Sequence, residues 1–77
     1  MKLILGIYKH YSGKEYEVLF LAKNANNGDK NLEDLVVYKQ LEDYGDYSKN
    51  TLWVRSLEEF IEMVEVNGKM MNRFIKI

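Results

Sequence analysis

The side chains best suited to chemistry in this sequence are one histidine, two arginines, one tryptophan and a large tyrosine complement. His10 is the group whose ordinary pKa lies nearest neutrality, which makes it the default general base. Nucleophilic catalysis would also need a hydroxyl within hydrogen-bond reach and a carboxylate behind the imidazole. Ser12, Ser48, Thr51 and Ser56 are the available hydroxyls, and none stands in a nucleophile motif. The chain is therefore read as a non-enzyme, with His10 a hydrogen-bonded rim residue and a small hydrolase or lyase using His10 as the third choice. Glu15 and Glu17 point to one side of a strand, but two carboxylates without a glycine-anchored loop are too few for calcium. With no cysteine and a single histidine no zinc site can be assembled, and the scattered glycines form no phosphate-cradling loop. Neither a metal nor a cofactor is expected.

The more suggestive set is aromatic and basic: Tyr8, His10, Tyr11, Tyr38, Trp53, Arg55 and Arg73, with Phe74 beside them. Alternation places Trp53 and Arg55 on one strand face and Val54 on the other. If Val54 fills the core, Trp53 is displayed, and a displayed Trp among Tyr and Arg suits peptide grooves, cation cages and base stacking. The competing reading makes Trp53 the main packing residue of a small core.

The elements that must position these residues are mostly strands. Leu3–Tyr11 has strand content and Ser12-Gly13-Lys14 is a turn, so a hairpin with the following segment is predicted. That segment alternates strictly through Glu15-Tyr16-Glu17-Val18, then turns apolar on both faces through Leu19-Phe20-Leu21-Ala22. The switch predicts a strand that runs into the centre of the fold or bends across a small barrel. Residues 23–34, centred on Asn26-Asn27-Gly28-Asp29, read as an exposed loop, and Leu35–Leu41 as a strand. Between Glu42 and Asn50 lies a second polar stretch, whose Tyr44 and Tyr47 are either a ligand lip or part of a mobile, partly packed loop. Thr51–Arg55 is the next strand.

Ser56-Leu57-Glu58-Glu59 has the capping-box pattern, so a helix should begin there and end near Glu62. Leu57, Phe60, Ile61 and Val64 fall along one helical face. Asn67-Gly68 is a type I′ turn signal, predicting a hairpin of Met63–Val66 with Lys69–Ile77. The resulting fold class is mainly β: a small SH3-like antiparallel barrel or half-barrel with one short helix before the last hairpin.

Seventy-seven residues support one hydrophobic core, so residues 1–77 are read as a single domain. With no disulfide, stability rests on apolar packing, for which 47% hydrophobic and 13% aromatic residues suffice to mark a globular chain. The apolar start Leu3–Ile7 is too short for a signal peptide and no stretch is long enough to span a bilayer, so no membrane partner and a cytoplasmic location are expected. Net charge is −1, but residues 31–62 hold eight acidic and three basic side chains, an excess that disfavours nucleic acid as a partner.

Gly6-Ile7-Tyr8-Lys9-His10-Tyr11-Ser12-Gly13, Tyr16-Glu17-Val18, Ala22, Val36-Val37-Tyr38, Trp53-Val54-Arg55-Ser56-Leu57 with Phe60, and Gly68 with Arg73-Phe74 together resemble the family catalogued as domain of unknown function 1653. The resemblance spans nearly the whole chain and implies a small β domain of the bacterial cytoplasm, without an established activity. The family usually carries His where this chain has Asn24, and Pro where it has Ser56 and Asn72; the loop before Trp53 is also longer here. The functional expectation is a binding module that presents the His10–Trp53–Arg55 face to a peptide, protein or small ligand, with single-stranded nucleic acid as the alternative.

Overall fold

In the computed structural model, residues 3–25 and 33–77 are described; the predicted Asn26–Asp29 loop centre lies outside them. The chain forms β1 (Gly6–His10), β2 (Glu15–Lys23), β3 (Asp34–Gln40), β4 (Leu52–Ser56), α1 (Leu57–Phe60), β5 (Met63–Val66), β6 (Lys69–Asn72) and β7 (Phe74–Lys76). Five strands make an antiparallel sheet in the order β4-β3-β2-β1-β7, and β5 pairs with β6 in a separate hairpin. The mainly-β class and the short helix before the last hairpin follow the sequence reading. The sheet is open: β4 and β7 lie at opposite edges and, among the described residues, no barrel closes.

Two local features keep it open. At Arg73 the C-terminal segment leaves the hairpin, so the predicted long strand Lys69–Ile77 is divided into β6 and β7. The Arg73 backbone N–H donates to Glu62 O at 3.2 Å, and its carbonyl accepts from Tyr11 N at 3.0 Å. The residue thereby hands the chain from the hairpin to β1. Meanwhile α1 lies against the inner face and seats Phe60, 1% exposed, where a barrel's far wall would stand.

Ser56 caps α1 as its sequence pattern predicts, its Oγ accepting from Glu59 N at 3.1 Å. The helix stops at Phe60, earlier than Glu62. Ile61 is 40% exposed and Val64 belongs to β5, so the predicted apolar face is confined to Leu57 and Phe60. The Asn67-Gly68 turn has positive φ at both positions, 52° and 80°, as a type I′ turn demands.

In β2 the register shifts between Val18 and Phe20. This bulge at Leu19 is the physical content of the switch from alternating to continuous apolar sequence. It does not carry the strand inward, since Phe20 and Leu21 are 52% and 38% exposed. The bulge bends β2 and leaves its end at the surface.

The core comprises Tyr8, Val18, Val36, Tyr38, Phe60 and Phe74. Phe60 and Phe74 are stacked with centroids 4.0 Å apart, and Tyr38 meets both edge-on. Phe74 is also the inward-facing residue of the three-residue β7, opposite His10. Phe74→Ala should cost about 3–5 kcal/mol, the usual range for a large core aromatic, measured by urea denaturation, with weakened amide protection in β7.

Candidate aromatic and basic pocket

Directly opposed residues in an antiparallel sheet share a face, so register decides which side chains gather. Trp53 pairs with Tyr38 and Tyr38 with Val18; Tyr16 pairs with both Tyr8 and Gln40. All of these lie on the inner face. Trp53 therefore packs against the core, half-buried, while Val54 opposite Val37 is 58% exposed on the outer face. This reverses the assignment of Val54 to the core and Trp53 to display.

Gln40 ends β3 inside the protein, 1% exposed, and uses its whole amide. Its Oε1 accepts from Trp53 Nε1 at 2.9 Å, and its Nε2 donates to Glu42 O at 3.0 Å and Tyr47 O at 2.7 Å. One side chain thus fixes the indole plane and draws in the loop after β3. The packed character expected of part of that loop is seen in its contacts. Tyr44 and Tyr47 exchange backbone hydrogen bonds of 2.9 and 3.0 Å, the Tyr44 hydroxyl accepts from Glu15 N at 3.0 Å, and Tyr47 meets the indole edge-on at 4.9 Å.

The result is a concavity of about 230 Å³ walled by Tyr16, Tyr38, Tyr44, Tyr47, Trp53 and Gln40, with Lys14 and Arg55 as its cations. Lys14 Nζ sits 5.3 Å from the Tyr44 ring centre. Arg55 is half-buried; its Nε donates to Tyr38 Oη at 3.5 Å and its guanidinium lies 5.9 Å from the Phe74 ring centre. Among the described residues it forms no ion pair. Burial raises the Tyr16 phenol, and Tyr38 and Tyr44 add to the effect, so it stays a neutral hydroxyl. Glu33, Glu58, Glu59 and Glu62 border a second cleft beside β4 and α1, which Arg55 also lines.

The sequence signature of the family described as protein of unknown function (DUF1653) matches residues 6–76. The chain belongs to this family. A crystal structure of a family member from Bordetella bronchiseptica is similar to it with a TM-score of 0.77 and 29% sequence identity, covering 99% of this chain and 88% of that one. No curated protein matches. Family membership thus agrees with the resemblance read from the sequence, and the pocket has to be interpreted from its own chemistry.

Of the seven residues singled out, Tyr38, Trp53 and Arg55 meet in this pocket. His10 adjoins it through Phe74, whose ring centre is 5.0 Å from the imidazole. Tyr8 is core, its hydroxyl donating to Ile4 O at 2.6 Å. Tyr11 is exposed and stacks obliquely on His10 at 4.3 Å. Arg73 is a clasp: Nε donates to Glu59 O at 3.0 Å at the end of α1, and Nη2 pairs with Glu62 at 2.8 Å. Lys14, Tyr16 and Gln40 were not singled out. Tyr16 carries a signal, the inward position of a strictly alternating strand; Lys14 and Gln40 are brought in by a turn and a loop closure.

His10 Nδ1 accepts from Ser12 N at 3.1 Å and lies 2.8 Å from Ser12 Oγ. A backbone N–H aimed at Nδ1 leaves the ring proton on Nε2. No carboxylate hydrogen-bonds the imidazole among the described residues, so the His–Ser contact lacks the orienting third group of a triad and closes the β1–β2 turn. Desolvation, followed by the charges of Arg55, Arg73 and Lys14, lowers the His10 pKa below its ordinary 6.5.

Gln40→Leu would strand the Trp53 indole N–H and two loop carbonyls, each costing about 1–3 kcal/mol if left buried and unpaired. It should lower stability by at least the smaller figure and red-shift Trp53 emission as the loop loosens. For His10, the unfolded chain takes up its proton near 6.5 and the folded chain only at lower pH. Its stabilising contribution is complete above pH 6.5 and lost as pH falls through the folded value. An NMR titration should place the His10 midpoint below 6.5, Arg55→Gln should raise it, and His10→Gln should flatten that part of the stability profile.

Proposed function

We propose that this chain is a binding module whose pocket holds a planar anionic group borne by a peptide, a protein surface or a small molecule. The observation that carries this is Arg55: a half-buried guanidinium, in no ion pair among the described residues, set into a wall of aromatic rings. Leaving a charge partly desolvated and without a counter-charge is unfavourable, and an incoming anion reverses that penalty. Rings at right angles to one another offer both faces and edges to a flat group. The cavity of about 230 Å³ is smaller than the roughly 300–1,000 Å³ typical of sites for drug-sized ligands. It suits a single side chain or terminal group.

Binding is favoured over turnover because no serine or threonine lines the pocket among the described residues, and the contact of His10 with the Ser12 hydroxyl closes a turn. The lack of cysteine suits the reducing cytoplasm. Single-stranded nucleic acid also combines rings with anions, and the placing of Lys14 and Arg55 beside the aromatic wall makes it the second reading. The acidic cleft bordering Arg55 on its other side opposes an extended phosphate backbone.

Trp53 is the only tryptophan, so its fluorescence reports on this site. Benzoate and phenyl phosphate should change its emission saturably at about millimolar concentration, as expected for small fragments. Benzyl alcohol and inorganic phosphate, each carrying half the chemistry, should bind at least about tenfold more weakly, and Arg55→Gln should abolish the preference for the charged ring. Equal responses to benzyl alcohol and benzoate would remove the anion from the proposal. Tighter, strongly salt-dependent binding of an oligothymidylate would reverse the order of the two readings.

A further inference from the structure

Strand β4 is one edge of the sheet, and its hydrogen-bond phase can be fixed. Gln40 N donates to Thr51 O at 3.1 Å, one step before the Lys39–Leu52 pair. Hydrogen-bonded and non-hydrogen-bonded pairs alternate along an antiparallel ladder. Trp53 and Arg55 therefore bond to β3, while Leu52 and Val54 turn their backbone N–H and C=O groups outward. Among the described residues no backbone partner outside the ladder meets either of them.

Protein edges are ordinarily blunted by charged side chains, proline, bulges or short length. Edge strand β7 follows the pattern, with three residues and Lys76 among them. In β4, Leu52–Ser56 runs in unbroken register over five residues without proline or bulge, and its one charge, Arg55, lies on the inner face, so that the outer face of the edge is uncharged. On the outer face Leu52 and Val54 are 60% and 58% exposed, and Phe20, in line with Val54 beyond Val37, is 52% exposed.

From this edge we infer that the protein self-associates through β4, two copies pairing antiparallel about a two-fold axis at Val54. The strand is self-complementary in that register. Val54 meets Val54 of the second copy as a hydrogen-bonded pair, using the outward N–H and C=O of both. Trp53 meets Arg55 of the second copy in the adjoining non-hydrogen-bonded pair, the closer of the two spacings, where a guanidinium and an indole attract one another. On the outer face the Phe20–Val37–Val54 row continues into its symmetry mate. Arg55 of the second copy thereby stands opposite Trp53 across the axis, on the inner face of the joined sheet. The pairing itself does not depend on what the pocket binds.

Sedimentation equilibrium from about 1 μM to about 1 mM should show a shift toward twice the 9.1 kDa chain mass. Val54→Lys sets two like charges against each other at the axis and should raise the dissociation constant at least about tenfold. Independently of any variant, hydrogen exchange at the Leu52 and Val54 amides should slow as the unaltered protein is concentrated. A monomer throughout the range, a dimer indifferent to Val54→Lys, or concentration-independent exchange at these amides would overturn the inference.

Discussion

Phe74 is the point on which the rest of the structure depends. Its ring stacks on Phe60 at 4.0 Å and is met by His10 at 5.0 Å, Tyr38 at 5.7 Å and Tyr16 at 6.0 Å, with the Arg55 guanidinium at 5.9 Å. These partners come from α1, β1, β3, β2 and β4, so one side chain near the C-terminus ties every inner-face element of the sheet to the helix. A domain of this size without disulfides has few apolar residues to bury, and large rings supply much contact area from few positions. Packing rings against rings also makes the site and the core one body. The pocket's Tyr16 and Tyr38 are core-facing residues whose hydroxyl ends reach its wall.

A second constraint acts through polarity. Buried amides must be paired, and Gln40 satisfies its own by collecting the Trp53 indole and two carbonyls of the following loop. A sequence of acids, glycine and tyrosine that would otherwise be solvated is drawn onto the sheet as the outer wall of the concavity. Charge is unevenly distributed about the site, and Arg55 stands between its two parts. Cations Lys14 and Arg55 line the aromatic side, and Glu33, Glu58, Glu59 and Glu62 border the cleft beyond Arg55. Net charge along the sequence conceals this, because residues adjacent in the chain diverge to different sides of β4 and α1.

Much of the fold was legible because its signals are local. The Ser56 cap, the Asn67-Gly68 turn and the β1–β2 hairpin are each specified by neighbouring residues, and each forms. The change from alternating to continuous apolar sequence after Val18 correctly marks a discontinuity, which is the bulge at Leu19. Closure into a barrel was not legible in this way. It depends on where β7 is led by Arg73, whose partners Tyr11, Glu59 and Glu62 are distant in sequence.

The sequence by itself determined the β-rich class, the start of the helix, the family, and the relative facing of Trp53, Val54 and Arg55. Alternation relates neighbours to one another without saying which side is inside. That choice came from the pairing of Trp53 with Tyr38, set by a ladder extending to Val18, and it turned Trp53 inward and Val54 outward. Tertiary structure likewise divided the aromatic and basic residues, sending Tyr8 to the core and Arg73 to a clasp while bringing Lys14, Tyr16 and Gln40 to Trp53. The physical reason is the same throughout: strand periodicity is a property of the chain, whereas burial is a property of the register between chains of contacts that only folding assembles.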